Sequence, residues 1–418
     1  MLKYLLAVSG DLIVVAILTG LLYAWVESRL GGAGQRALNV GMLAGFAGAA
    51  VMSYMKNATN LVHTGVWNMR IFVASTLLLL LFFAFSLPKL REKAPKLSGR
   101  GVCVTGAALA ALLLFYEMPE VYAYPYTMTL LGFESVFSTD YIYRVIGWLL
   151  GLILMLVIFS SARRVAAGVG GATAAWVTAA ALSLNAVQQI TKTLQTMLTR
   201  RIIKSSRGLF QVVKFTSNHS DLFVYGAIAA VILLALILWL RSLRVNEPYA
   251  NPAEHRRIRA KWRDNRRWAS ALLACCLLMI LNLTVFTALL NREVELSPAE
   301  DFVLQDGNIY ISLTQVEDGH LHRFAYLTGG GVETRFIVIK KPNSSAYGIG
   351  LDACDICGET GYYERDGQVV CKLCDVVMNI NTIGFKGGCN PIPIAYSVAD
   401  GYIVVPVSEL EAHEKDFR

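Results

Sequence analysis

Charged residues are scarce in this chain, 16% of 418 residues against 55% that are hydrophobic. The shortage is uneven. Up to about residue 291, long uncharged runs alternate with short basic loops, and only the remainder reads as ordinary globular sequence. With a mean hydropathy of +0.49, that pattern excludes a large soluble protein and indicates a membrane protein. Repeats of fixed period and low-complexity tracts are absent. So are a hydrolase triad, a P-loop and a Rossmann fingerprint: the glycine-rich runs at 31–34 and 167–171 lack the Lys-Ser/Thr or the strand context those motifs need. Hydrolase and transferase chemistry has no motif here, while an oxidoreductase-like electron-transfer role stays open. Histidines number six, at 63, 219, 255, 320, 322 and 413, and do not pair within apolar runs. That argues against a transmembrane b-type haem, which needs axial ligands of this kind.

What is present first is apolar length. Eight segments, at about 4–26, 37–55, 67–87, 101–118, 142–162, 171–191, 221–241 and 268–290, reach the roughly 20 residues a membrane crossing needs. No small-residue cleavage site follows the first, so it reads as a retained anchor. The net charge of +8 lies mainly in the connecting loops, which positive-inside topology explains better than a nucleic-acid surface. Loop 88–100 carries five basic residues against Glu92, loop 241–267 carries nine Lys/Arg against three acids, and Arg163 and Arg164 follow the fifth segment. With eight spans these loops share one side, the cytoplasmic one, and both termini lie outside. The loop from Glu117 to Tyr141 has four acids and no Lys or Arg. The loop 192–220 runs against the rule with Lys192, Arg200, Arg201, Lys204, Arg207 and Lys214. Its RRIIKSSRGLFQVVKF stretch reads as an amphipathic segment on the membrane surface.

Polar residues inside apolar runs are the next signal, because ionisable groups at membrane depth usually face a cavity or a partner. Asp11 lies within the first segment; Asn185, Gln188, Gln189 and Lys192 line the end of the sixth; Glu117 and Glu120 close the fourth, where Pro119 suggests the helix ends. Three apart, Glu117 and Glu120 would project from one helical face and could hold a cation in transit, so with Asp11 they form a candidate ion path. Interfacial carboxylates and interhelical hydrogen bonding are the plainer readings. Cys103, Cys275 and Cys276 read as small apolar residues.

From about Leu296 the text changes to short alternating strands, at 308–314, 321–327, 333–340 and 402–407, separated by turn residues such as Asp306-Gly307 and Asp366-Gly367. The chain thus divides into a helical polytopic membrane domain of about eight transmembrane helices, 1–295, and a small β-rich extracytoplasmic metal-binding domain, 296–418. Five of the eight cysteines fall within 36 residues of that second domain. Cys354/Cys357 and Cys371/Cys374 are two Cys-x-x-Cys knuckles separated by 13 residues, and Cys389 follows in Gly387-Gly388-Cys389-Asn390-Pro391. Two knuckles place four sulfurs around one point, which suits a single Zn or Fe or an iron–sulfur cluster. A structural zinc ribbon, with Asp366-Gly367 as the turn of a hairpin joining the knuckles, is the plainest reading of the spacing; disulfides are a further one, against which the odd number counts. Gly358 and the Gly387-Gly388 pair free the backbone to turn N–H groups toward sulfur. A fifth thiol exceeds what one tetrahedral metal needs, and His320 and His322, on one face of a strand, are further candidate ligands.

The motifs DGHLHRF, YGIGLDACDICGETGYY, VVCKLCDVVMNINTIG and GGCNPIPI together resemble the FtrD-like family of membrane iron–sulfur proteins, over the whole C-terminal domain. The resemblance implies an inner-membrane redox component of a bacterial iron uptake system, its C-terminal domain on the periplasmic side. It implies partners as well: an FTR1-type iron permease, a P19-type periplasmic iron/copper-binding protein and in some systems a cupredoxin. By position, Cys354, Cys357, Cys371, Cys374 and Cys389 would be the metal ligands, with His320 and His322 as weaker ones. It leaves the metal open between an iron–sulfur cluster, mononuclear iron, Zn and Cu. The permease's own Arg-Glu-x-x-Glu motif is missing; residues 117–120 retain only Glu-x-x-Glu. The alternative is an ion or iron transporter, or an assembly subunit, whose cysteines form a structural zinc ribbon.

Overall fold

The computed structural model describes the chain apart from residues 1, 60, 61, 128–138, 205, 246, 291–293, 343, 366, 375, 388 and 418. It divides into two compact units, Met1–Asn291 and Arg292–Arg418. The first is helical: α1 (Leu2–Ala58), α2 (Thr64–Ser86), α3 (Pro88–Lys93), α4 (Pro95–Thr127), α5 (Thr139–Val169), α6 (Gly171–Thr199), α7 (Arg207–Asn218), α8 (Asp221–Leu243) and α9 (Pro252–Leu281). After α9 a π-helical turn, Asn282–Phe286, leads into α10 (Thr287–Leu290). Among the described residues, six helical stretches are long and apolar enough to cross a membrane.

Two features reconcile six with the eight apolar segments read from the sequence. The first is a fold-back in α1. At Gly31 the backbone adopts φ 56°, ψ −136°, a conformation open to glycine and strained for other residues. Tyr23 donates to Asn39 Oδ1 at 3.1 Å; in a straight helix those residues would stand about 24 Å apart. α1 is therefore two antiparallel arms, each carrying one apolar segment. The second is α6, whose length suffices but whose Asn185, Gln188 and Gln189 lower its hydropathy. Its helix also continues through Lys192 to Thr199, so Lys192 is a helical residue and not part of a loop.

The first arm of α1 is the centre of the bundle. Leu12, Ile13 and every residue from Val15 to Ala24 are buried, as expected of a segment that is apolar all round. Arg163 of α5 closes its far end, donating from Nε and from Nη2 to the two oxygens of Glu27, at 2.9 Å each. The second arm packs on α4 through small residues: a Cβ at Gly41 would sit 2.3 Å from the Ala107 carbonyl oxygen, and one at Gly45 2.6 Å from that of Ala111. Such spacing lets membrane helices approach closely. Gly45→Leu must push the helices apart, and overpacking of this kind costs about 1–3 kcal/mol or more. A lower thermal inactivation temperature of the purified chain is the expected result, with Gly208→Ala, which meets open space, as the control.

α4 does not end at Pro119 but continues to Thr127. Neighbouring helices add donors along this stretch: Ser53 Oγ donates to the Pro119 carbonyl at 2.8 Å, and Trp148 Nε1 at 2.8 Å to that of Val121, the carbonyl Pro125 leaves without its intrahelical donor. This is how membrane helices accommodate proline. α7 takes up the basic stretch after α6, capped by Ser206 Oγ accepting from Leu209 N at 3.3 Å, and exposes Phe210, Val212 and Phe215.

Among its described residues, the second unit holds ten short strands in three antiparallel sheets. β1 (Val303–Gln305), β2 (Asn308–Ser312), β3 (His322–Leu327), β4 (Glu333–Lys340), β5 (Tyr347–Leu351), β6 (Tyr362–Arg365), β7 (Gln368–Cys371), β8 (Val377–Met378), β9 (Ser397–Ala399) and β10 (Tyr402–Pro406) are followed by the short α11 (Val407–Ala412). Sheet orders are β1-β2-β10-β9, β3-β4-β5 and β6-β7-β8. β4 explains why there are two cores. Its Phe336 and Val338 pack with Ile309, Phe324, Ile349 and Ile403, while Ile337 and Ile339 on the opposite face pack with Cys354, Tyr362, Val369 and Cys371. An uninterrupted apolar run marks a strand buried on both faces. The second of those cores carries the cysteines.

Candidate metal centre

The β6–β7 hairpin brings the knuckles together. Its register pairs Tyr362 with Cys371, at the start of the second knuckle; Asp366, expected in its turn, lies outside the described residues. The first knuckle closes on itself, Cys354 N donating to the Gly358 carbonyl at 3.1 Å and Gly358 N to the Cys354 carbonyl at 2.9 Å. The N–H that reaches sulfur is that of Cys357, 3.1 Å from Cys354 Sγ. Gly358 thus shapes the knuckle through a carbonyl and not through sulfur. Gly387 has a φ of 130°, and Gly388 lies outside the described residues.

Five thiols meet in one patch. Cys354, Cys357 and Cys389 form one group and Cys357, Cys371 and Cys374 a second, the sulfurs in each within 4.8 Å of one another. Cys357 belongs to both. Cys374 Sγ and Cys389 Sγ are 3.7 Å apart, close to the roughly 3.8 Å edge of a tetrahedron with metal–sulfur bonds of about 2.3 Å. None of the eight cysteines is in a disulfide. Converging thiols with N–H groups aimed at sulfur are a donor set for a thiophilic metal or an iron–sulfur cluster.

The patch is graded from inside to outside. Cys354 and Cys371 are buried, Cys357 and Cys389 half-buried, and Cys374 exposed. Burial pushes the thiols of Cys357 and Cys371 above the usual range, and that of Cys389 up to about 11. Burial acts the same way on Cys374, but hydrogen bonds from the Val376 N–H and the neighbouring thiols outweigh it and hold this thiol below its usual value. In the exposed Cys374 the thiolate, the form that binds metal, is thus favoured.

Behind the thiols lies a buried ion pair. Asp352 is fully buried and accepts Arg323 Nε at 2.8 Å, Arg335 Nε at 3.4 Å and the Tyr362 N–H at 2.8 Å. Arg323 also donates to the Tyr362 carbonyl. The Tyr362 hydroxyl reaches the Cys389 carbonyl at 2.6 Å, and burial raises its pKa well beyond the ordinary tyrosine value. Arg323, Asp352 and Tyr362 were not singled out from the sequence, although all three lie in the motifs DGHLHRF, LDACD and GYY. The available signal was a lone Arg and a lone Asp among residues that become buried.

The histidines lie elsewhere. The bend at Asp318-Gly319, with Gly319 at φ 84°, extends through His320 and β3 begins only at His322, so His320 and His322 do not share a strand face. His320 Nδ1 is 2.9 Å from Glu364; His322 Nδ1 is 2.9 Å from Glu300 and its Nε2 2.8 Å from Asp318. Carboxylates, not cysteines, occupy these ring nitrogens, and among the described residues the thiol groups include no histidine. His320→Ala should therefore leave metal content unchanged, as read by metal analysis of the purified chain. Its hydrogen bond to Glu364 raises the His320 pKa. The stabilisation is fully present below the unfolded value of about 6.5 and is lost as pH rises through the raised one. A melting curve taken across that window should become flatter in His320→Gln.

Asp11, Glu117 and Glu120, expected to share an ion path, are divided. Asp11 and Glu117 line one cavity with Asn185, Gln188, Gln189 and Lys192, whereas Glu120 forms an ion pair with Lys56 at 3.2 Å. Cys276 is buried in the bundle core.

Residues 316–417 match a family described as membrane iron-sulfur containing protein, FtrD-like. The matched stretch holds β3 to β10, both knuckles and Cys389, and does not extend to the helical unit. No curated protein and no solved structure matches the chain. The chain is a membrane protein whose C-terminal domain carries a metal-binding cysteine cluster.

Proposed function

We propose that the cluster is a redox centre and that the protein is the inner-membrane electron-transfer component of a bacterial iron uptake system. The carrying observation is the five-thiol patch with its one exposed sulfur. Cys354, Cys357, Cys371, Cys374 and Cys389 would hold the iron or iron–sulfur centre, and that centre would supply one-electron chemistry when bound. The chain's own residues do the rest. Asp352, Arg323 and Tyr362 hold the hairpin that presents the knuckles, and backbone N–H groups aimed at sulfur tune the charge the site tolerates. Cys374 faces solvent, and the third residue of each knuckle, Ile356 and Leu373, is an exposed apolar side chain, 69% and 64% accessible. Such a rim suits transient docking of a redox partner on the periplasmic side. The FTR1-type permease and the P19-type iron/copper-binding protein implied by the family resemblance are the partners to test, with a cupredoxin as a third.

The test is iron uptake in cells carrying Cys371→Ser. Uptake should fall to the background of a strain lacking the protein, while the amount of protein in the membrane stays at wild-type level. Loss of the protein itself would instead make the cysteines a structural staple.

A further inference from the structure

The helical unit contains a polar cavity that the cysteine centre does not account for. It measures about 160 Å³ and lies between the first arm of α1, α4, α6 and α8, room for about five waters at liquid density. Four polar groups matter. Asp11 Oδ2 accepts the Tyr124 hydroxyl at 2.5 Å. Glu117 has no hydrogen bond and no ion pair within 4.0 Å among the described residues. Gln189 is 6% exposed, and its Oε1 is a buried acceptor without a donor. Lys192 Nζ is parked over the Tyr116 ring, 5.8 Å from its centroid, and is not within 4.0 Å of either carboxylate.

The charges do not cancel. Glu120 is neutralised by Lys56 outside the cavity, so the cavity is left with two carboxylates against one ammonium. One negative charge stays uncompensated at membrane depth, where a lone charge is strongly disfavoured. Gln189, which lines the same cavity, carries a buried acceptor oxygen without a donor. A divalent cation would overshoot to a net positive charge; a single positive charge restores neutrality.

We infer that the cavity holds one exchangeable positive charge, a proton or a sodium-sized monovalent cation, shared by Asp11 and Glu117 with Gln189 Oε1 as a neutral ligand. Lys192 sets the count at one. The site does not depend on the redox reading of the cysteines.

The experiment uses the full chain in detergent, with two readouts. Heat unfolding in sodium chloride is compared with choline chloride at equal ionic strength, and infrared difference spectra follow the protonated-carboxyl band after a pH step. If the occupant is sodium, the melting temperature rises by about 2–4 °C in sodium. If it is a proton, the carboxyl band changes with pH. In either case the signal disappears in Glu117→Gln and survives in Glu120→Gln and in Cys371→Ser, the last separating this site from the cysteine centre. Asp11→Asn also removes the uncompensated charge and must abolish the signal, which covers the case in which Glu117→Gln does not fold. The inference is overturned if wild type gives neither signal, if the signal persists without the carboxylates, or if Mn²⁺ binds stoichiometrically in a Glu117-dependent way.

Discussion

Cys357→Ser should strip the metal from the C-terminal domain, lowering bound metal at least about tenfold, the low end of what even outer-shell changes do to metal affinity. Cys357 is the one thiol common to both sulfur groups, so its loss leaves neither group with three donors; the 3.7 Å approach of Cys374 to Cys389 is the link that remains. Cys389→Ser should act more mildly. It leaves the Cys357, Cys371 and Cys374 group whole, and the metal should be retained but released faster to a chelator. Metal analysis before and after timed chelation separates these outcomes. Equal losses in the two variants would mean that Cys389 is an obligatory ligand.

The second large effect is expected at Asp352→Asn. This carboxylate is fully buried and sits between Arg323, itself only 2% exposed, and Arg335. Removing one partner of a buried ion pair leaves the other charged and unpaired, a loss of about 3–5 kcal/mol. The same carboxylate accepts the Tyr362 N–H at the root of the cysteine hairpin. Pulse proteolysis of the full chain in urea should show the C-terminal domain cleaved at lower denaturant while the helical unit keeps its midpoint. An unchanged midpoint for the domain would show that Arg323 finds another partner.

The parts legible in the sequence are those set by local pattern. Strands β2, β3 and β10 fall within a residue or two of the runs read from the sequence, because alternation reports a two-faced strand directly; β4 falls there too, as an apolar run buried on both faces. β5, Tyr347–Leu351, escaped because its glycines, Gly348 and Gly350, carry no side-chain pattern; they admit Ile383 and Pro391 against the strand instead. The knuckle spacing located the thiols, but spacing along a chain says nothing of which sulfur is shared or exposed. Those properties come from the hairpin register and from the core under β4. The histidines show the opposite error. Two imidazoles two residues apart look like a ligand pair until the strand begins only at His322, leaving His320 in the bend before it, and Glu300, Asp318 and Glu364 take up their nitrogens. In the helical unit the polar residues were visible one by one. Their convergence depends on the packing of the first arm of α1 with α4, α6 and α8, and Tyr124 reaches Asp11 only because α4 continues past Pro119, where tertiary contacts override a local helix-ending signal.

The central claim is that the five thiols hold a redox-active iron centre. Iron and acid-labile sulfide should be measured on the full chain purified without oxygen, together with its visible absorbance before and after reduction. The account predicts bound iron, with sulfide if the centre is a cluster, and absorbance that bleaches on reduction and is absent in Cys357→Ser. Colourless protein with one equivalent of zinc per chain would contradict it.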